Sequence, residues 1–368
     1  MAKFTKSSII YMLLIFAPIA FILDQFHSNA TLLFVVSIVS LIPLAKLIGD
    51  STEHLASHYG TTTGSLLNVT FGNAAEIIIC LIAINAGLID LVKASIIGAI
   101  LGNIMLIFGL SLITGGLRHK EQVFNRENAG LQSSMIFLSI IGLAIPTLLS
   151  VTAFESGNAN DEMKTQLLSD SLAVLLLGVY AAGLVFTFVT HKHLFTSPSI
   201  HSNENNGEST AVNHTHWSKK KSFLILGISM VGVVVVSEIL VGSVEETGRG
   251  FGFGELFVGA IIVGSVGNAA EHSSAILLAR KGKIDLSIGI AAGSGTQIAL
   301  FVVPILVFAG IALGQPFTLE FTLYELVTVF MAAIILNLIS HDGKSNWFEG
   351  VMLTAVYIII ALGFYFIG

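Results

Sequence analysis

The sequence predicts an all-α polytopic membrane protein of eleven transmembrane helices, arranged as one helix plus two inverted five-helix repeats. Three observations carry the prediction. Of 368 residues, 54% are hydrophobic and only 11% charged, with a mean hydropathy of +0.86; soluble domains carry about 25% charged residues. The apolar residues fall into runs approaching the ~20 that a bilayer core demands. Finally, one phrase is written twice. Gly72-Asn73-Ala74-Ala75-Glu76 returns as Gly267-Asn268-Ala269-Ala270-Glu271, and Ile89-Asp90-Leu91 as Ile284-Asp285-Leu286, each 195 residues on (72 to 267, 89 to 284).

The first expected span, near residues 8–23, follows Lys3 and Lys6 as a signal peptide would. It lacks a small-residue cleavage site, so it reads as a span. Five more follow near 31–48, 64–87, 91–114, 131–153 and 168–190. After a polar stretch come 222–242, 255–279, 286–313, 318–339 and 348–367. All are expected to be helical, because lipid offers backbone amides no partner. The organisation is then a first helix (1–30), a first repeat (31–190), a cytoplasmic linker (191–221) and a second repeat (222–368).

Charge supports this order. With the N-terminus cytoplasmic and sides alternating, only Lys93, Lys164 and Arg249 of the 17 basic residues fall on the far side. The positive-inside rule demands such asymmetry, and a missed span would scramble it. The C-terminus is then extracytoplasmic, in a multi-pass protein of the plasma membrane. Five is odd, so the two repeats insert with opposite orientation, and a midplane site between them is a transporter architecture. The net charge of −6 implies no nucleic-acid partner. The single cysteine, Cys80, excludes an intramolecular disulfide and is silent on redox compartment.

The repeated phrase carries the chemistry. A carboxylate inside a span costs roughly 2.5–3.5 kcal/mol on insertion scales, so Glu76 and Glu271 read as functional. Asn73 stands three residues before Glu76, and Asn268 three before Glu271, so each pair is expected to share a helix face. Gly72 and Gly267 loosen the helix and admit close backbone approach. Carboxylates, amides and freed carbonyls make an all-oxygen site of the kind Ca2+ prefers, and two glutamates neutralise one divalent ion. Without the ion, facing carboxylates favour holding protons, so Ca2+ and H+ compete for the same oxygens. That competition suffices for antiport, one Ca2+ for two protons.

The next span of each half carries further polar groups. Asn103 lies in Gly98-Ala99-Ile100-Leu101-Gly102-Asn103, and Gln297 in Gly293-Ser294-Gly295-Thr296-Gln297. Asn103, Ser294 and Gln297 are expected near the ion, while the glycines read as small-residue helix packing. His272 points away from its neighbour Glu271 on a helix, and packing, proton relay and ligation all stay open for it. A second acidic echo, Ser51-Thr52-Glu53 and Val236-Ser237-Glu238, puts Glu53 and Glu238 on access routes or at the interface as snorkelling carboxylates.

From Gly64-Ser65-Leu66-Leu67-Asn68-Val69-Thr70-Phe71 through Gly72-Asn73-Ala74-Ala75-Glu76, and again over Val266-Gly267-Asn268-Ala269-Ala270-Glu271-His272-Ser273-Ser274-Ala275-Ile276, the chain resembles the calcium/proton antiporter (cation/proton exchanger) family of the calcium/cation antiporter superfamily. Gly293-Ser294 with Gln297-Ile298-Ala299, and Asn346-Trp347-Phe348-Glu349-Gly350, resemble it too. The resemblance covers nearly the whole chain. It implies eleven spans as one plus five plus five, Ca2+ held between the repeats by Glu76 and Glu271, and Ca2+ export from the cytosol driven by the proton gradient. It implies no cofactor beyond the transported Ca2+ and H+, and it allows a homo-oligomer. Prokaryotic members share the short N-terminus. The linker departs from the family's acid-rich one: Glu204 and Glu208 are outnumbered by His191, His193, His201, His214, His216 and by Asn and Ser, as in a solvated, flexible segment.

Na+-coupled Ca2+ exchange is the alternative within the superfamily; the Gly-Asn-Ala-Ala-Glu phrase and the Glu271-His272 pair favour protons. A passive cation channel suits the pattern less, since channels ring a pore with symmetric subunits and filter loops. No HExxH signature or P-loop occurs, which speaks against an intramembrane hydrolase or an ATP-driven pump. The predicted sidedness is checked with fusions. Alkaline phosphatase is expected to be active when fused after Gly368 and inactive when inserted at Asn205; the reverse pattern sinks the topology.

Overall fold

A computed structural model describes residues 10–59, 67, 70–152, 159–191 and 217–367. Lys3 and Lys6, most of Gly64–Val69, and the linker residues His193, His201, Glu204, Glu208, His214 and His216 lie outside the described residues.

The regular structure of the described residues is helix, with one short two-stranded ribbon. Eight helices are long and apolar enough to cross a membrane: Ala30–Tyr59 (α2), Ile89–Gly116 (α4), Arg126–Thr152 (α5), Asn160–Thr190 (α6), Lys219–Phe251 (α7), Ile284–Leu313 (α10), Leu323–Ser340 (α11) and Trp347–Ile367 (α12). Three shorter apolar helices, Ile10–Gln25 (α1), Ala74–Asn85 (α3) and Glu255–Val266 (α8), fall where the first, third and eighth spans are expected. The helix Ala269–Arg280 (α9) continues from α8 after a break.

Local chemistry sets the ends. The Asn29 side chain accepts the Thr31 amide at 2.9 Å as α2 begins, and a reciprocal Thr322–Glu325 capping box opens α11. Gly252 and Gly314, both at φ 69°, close α7 and α10 in the left-handed conformation that a Cβ disfavours.

Small residues let the halves interlock. α4 crosses α8 so closely that a Cβ on Gly98 would overlap the Ala260 backbone, and one on Gly264 would stand 2.6 Å from the Ser95 carbonyl oxygen. Such contacts are how helices associate where lipid removes the hydrophobic drive. The packing role expected of the glycines therefore holds at Gly98 and at Gly295, whose Cβ would meet Ile104 Cγ2 at 3.0 Å. Gly102 has only the Ser265 hydroxyl oxygen at 4.0 Å, and Gly293 faces open space. α2 lies along α7, the first helix of one expected repeat against the first of the other. Both α4 and α10 contain a π-helical stretch at matching depth, Gly102–Ile107 and Ile298–Val302.

The connections are also tied across. The ribbon pairs β1 (Gln122–Val123) with β2 (Lys344–Ser345), antiparallel, with Gln122 opposite Ser345. Beside it Lys344 and Glu121 form a 2.6 Å ion pair, and the Glu121 carboxylate holds the Lys344 ammonium above its usual range. Asp285, at the start of α10, accepts the Asn125 amide at 2.6 Å. The connection between α10 and α11 is held by Ser169, which accepts the Leu319 amide at 3.0 Å, and by Thr147, which accepts the Phe321 amide at 2.8 Å.

Gly98→Ala is expected to lower the thermal unfolding midpoint in detergent, since overpacking costs about 1–3 kcal/mol. Gly178→Ala, where a Cβ meets open space, is the control and is expected to stay within a degree or two of wild type. Equal behaviour of the two variants refutes the close crossing.

Candidate functional site

Each copy of the repeated phrase breaks its helix. Residues 70–72 are helical, the backbone turns at Asn73 (φ −94°, ψ 15°), and α3 restarts at Ala74. In the second half α8 ends at Val266, Asn268 takes φ −85° and ψ 3°, and α9 begins at Ala269. Each asparagine is thus the residue before a new helix, outside the face it was expected to share with its glutamate. A bridge-region backbone at that residue replaces the continuous helix. Each asparagine carbonyl caps its own helix, accepting Ile77 N–H at 3.0 Å and His272 N–H at 2.9 Å. Neither asparagine side chain caps that helix, so both amides are available elsewhere. Glu76 and Glu271 fall in the first turns, where the helix dipole favours a negative charge.

The two breaks face each other. A Cβ on Gly72 would stand 3.5 Å from Glu271 Oε1, and one on Gly267 would overlap the Glu76 carboxylate. The glycine of each phrase is therefore the seat for the glutamate of the other.

Around this crossing runs an amide network. Asn73 Nδ2 donates to Gln297 Oε1 at 2.8 Å. Asn103 Nδ2 donates to Ser294 Oγ at 3.0 Å, and Ser294 donates in turn to Asn268 Oδ1 at 3.3 Å. Asn268 Nδ2 reaches the Gly264 carbonyl at 3.5 Å. His272 Nε2 lies 3.0 Å from Asn103 Oδ1. Because Asn103 uses its amide nitrogen toward Ser294, its oxygen accepts from His272, which sets the imidazole proton on Nε2. The structure therefore brings together Asn73 with Gln297, and Asn103 with Ser294, Asn268 and His272. His272 joins this chain through Asn103.

What remains is oxygen. Glu76 is 7% exposed and Asn73 0%. Both Glu76 oxygens, Asn73 Oδ1 and Glu271 Oε2 have no hydrogen-bond partner among the described residues. Buried acceptors without donors are costly, and a cation or protons would satisfy them. Glu271 is only half-buried.

The acidic echo divides. Glu238 lines a cavity of about 930 Å3 at the end of α3, together with Leu81, Ile82, Asn85, Glu245, Glu246 and Arg249. Glu53 is exposed near the end of α2 and does not line it. The sequence reading passed over Gln132 on α5, whose Oε1 accepts from Thr296 at 3.3 Å, one residue from Gln297; an amide inside an apolar run was the available signal. It also passed over Glu325, 1% exposed in its capping box.

Known proteins resemble the chain over nearly its whole length. The model of the family described as sodium/calcium exchanger protein matches residues 29–189 and 221–366. The Ca(2+)/H(+) antiporter of Synechocystis sp. (strain ATCC 27184 / PCC 6803 / Kazusa) is 42% identical over 369 residues, 98% of each chain. The Ca(2+)/H(+) antiporter ChaA of Bacillus subtilis (strain 168) is 40% identical over 352 residues, 95% of this chain and 96% of that one. Among solved structures, native YfkE superposes with a TM-score of 0.82 at 37% identity, covering 97% of this chain and 99% of the other. The H+/Ca2+ exchanger CAX shares the fold, with a TM-score of 0.71 at 15% identity over 99% of this chain and 93% of the other.

The Asn73–Gln297 bond is tested by a double-mutant cycle on thermal stability. Asn73→Ala and Gln297→Ala are expected to couple by about 0.5–2 kcal/mol, the range for interhelical hydrogen bonds in membranes. Additive effects would remove this link.

Proposed function

The chain belongs to the sodium/calcium exchanger protein family, and within it we propose that it is a secondary transporter. It exchanges cytosolic Ca2+ for H+ by alternating access at one site shared by Glu76 and Glu271. The observation that carries this reading is the crossing of the two broken helices. Two carboxylates from the two halves are seated on each other's glycines, and three of their four oxygens have no partner among the described residues. The names of the relatives, Ca(2+)/H(+) antiporters, support the choice of ions.

In this reading Ca2+ takes oxygens from Glu76, Glu271 and Asn73, with Asn268, Asn103, Gln297, Ser294 and His272 holding the shape around it. Gly72 and Gly267 admit the approach. The network serves by consuming its own N–H donors, so that oxygens are left for a hard cation. One Ca2+ neutralises two carboxylates. When it leaves, two protons take its place, and the site returns to the other side uncharged in either load. A sealed Glu76 and a half-buried Glu271 support a state open along α9, the cytoplasmic side in the topology argued from charge. Glu238 then lies on the outer route, in the cavity beyond α3, and Glu53 at the inner end of α2.

The same reading takes α1 as the lone first helix, residues 31–190 and 222–368 as inverted five-helix repeats, and 191–221 as a cytoplasmic linker, in a plasma-membrane protein with its C-terminus outside. The break at each repeated phrase supports counting α3 with residues 70–72, and α8 with α9, as single interrupted spans.

Everted vesicles with an imposed acid-inside pH gradient test it. Wild type is expected to take up Ca2+ in a protonophore-sensitive, Na+-independent way, and Glu76→Gln and Glu271→Gln are each expected to lose uptake at least ~100-fold. Uptake persisting in either variant sinks the two-carboxylate site; uptake following Na+ instead of pH moves the protein to sodium coupling.

A further inference from the structure

α7 opens on three consecutive lysines. Lys219, Lys220 and Lys221 are all exposed, and among the described residues no carboxylate forms an ion pair with any of them. The helix itself does not call for them. A helix start carries a partial positive charge, which favours acids in the first turn and disfavours cations.

Two of the three are nevertheless held in place by rings. Lys219 Nζ lies 4.6 Å from the centroid of the Tyr59 ring, and Lys221 Nζ 4.9 Å from that of Trp217, both within cation–π range. Trp217 is in turn fixed to the end of α2. Its carbonyl accepts His58 Nε2 at 2.8 Å, and its ring packs on His54 with centroids 4.6 Å apart. The ends of α2 and α7, one from each half, thus share one aromatic and cationic shelf. Against the three lysines the last turns of α2 set Glu53 and an Asp50 already paired with Lys46, so the shelf is net positive.

An apolar stripe runs on from it into the span. Leu224, Gly227, Ile228 and Val231 follow Lys220 at the spacing of one helix face. Leu224, Ile228 and Val231 are exposed, and a Cβ on Gly227 would meet open space, so the stripe is notched. Trp and Tyr beside the lysines are the residues that settle at the headgroup level of a bilayer.

We propose that this shelf binds an anionic phospholipid, with the phosphate headgroup on Lys219, Lys220 and Lys221 and an acyl chain along Leu224, Gly227, Ile228 and Val231. The continuity of charge and apolar stripe selects the occupant. A soluble anion or an acidic peptide would use the lysines and leave the stripe idle, whereas a lipid engages both. A lysine at such a surface favours an anionic lipid about 5-fold. The leaflet is the one at the start of α7, the cytoplasmic one in the topology argued from charge. The site requires that α7 cross the bilayer and nothing of the ions carried, so it stands or falls apart from Ca2+/H+ exchange.

Trp217 is the reporter, since the chain has two tryptophans and Trp347→Phe leaves it alone. That full-length variant is reconstituted into mixed phosphatidylcholine and phosphatidylglycerol vesicles, in which one lipid at a time carries bromine on its acyl chains and quenches an indole it touches. Brominated phosphatidylglycerol is expected to quench Trp217 with at least ~5-fold higher apparent affinity than brominated phosphatidylcholine. With Lys219→Gln, Lys220→Gln and Lys221→Gln combined, the two lipids are expected to quench alike. Lys220→Gln alone, which leaves both ring contacts in place, is expected to lose part of the preference. Lys344→Gln, whose ammonium is paired with Glu121, is expected to keep it. Equal quenching by the two lipids in the parent, a preference that survives the triple substitution, or one lost equally in Lys344→Gln each overturns the site. Soluble poly-glutamate that shifts Trp217 emission in detergent, while the two lipids quench alike, assigns the lysines to an acidic peptide and overturns it too.

Discussion

Two carboxylates must stay inside a membrane protein with three of their four oxygens unpartnered among the described residues, and the fold is arranged around that constraint. A buried, unpaired acid is costly in lipid, and tolerance for it has to be built. Here it comes from geometry: Glu76 and Glu271 each begin a helix, where the backbone field favours negative charge, and each rests on a glycine of the opposing phrase. The nearby asparagines spend N–H groups on Gln297, Ser294 and the Gly264 carbonyl, and Asn73 Oδ1 is left without a partner among the described residues. The result is a place where charge is unresolved until something mobile arrives.

Close approach is the means by which the halves are held to this geometry. Gly98 against Ala260, and Gly264 against Ser95, bring α4 and α8 backbone to backbone, and the network from Asn103 through Ser294 to Asn268 lies just beyond that contact. The π-helical turn Gly102–Ile107 contains Asn103, and the turn Ile298–Val302 follows directly on Gln297; such turns commonly mark functional positions. Packing and chemistry therefore share the same few residues.

Much of this was legible in the sequence, for physical reasons. Lipid forces helices, so apolar runs announced the spans, and the cost of an intramembrane acid singled out Glu76 and Glu271 before any geometry was known. Duplication made Gly72 and Gly267 stand out together. What stayed hidden depends on backbone angles and on distance along the chain. The spacing of Asn73 and Glu76 is compatible with one helical face, and only the bridge-region turn at Asn73 shows otherwise. That Asn73 meets Gln297 rather than another of the buried amides follows from how α3 and α10 pack, which no local pattern encodes. The hydrogen-bond partner of His272, Asn103, lies 169 residues distant, beyond the reach of any local pattern.

The ties between halves also bear on how the chain is made. Asn73, Asn103, Thr147 and Ser169 all belong to the first half, and their partners Gln297, Ser294, Phe321 and Leu319 are translated long afterwards. During synthesis, an inserted first half holds these polar groups before their second-half partners exist. It is an unfinished body, exposed to chaperones and proteases until the ribosome passes the start of α11. A truncation before Ser294 therefore removes all four of these partners, and damage late in the chain is felt at its beginning.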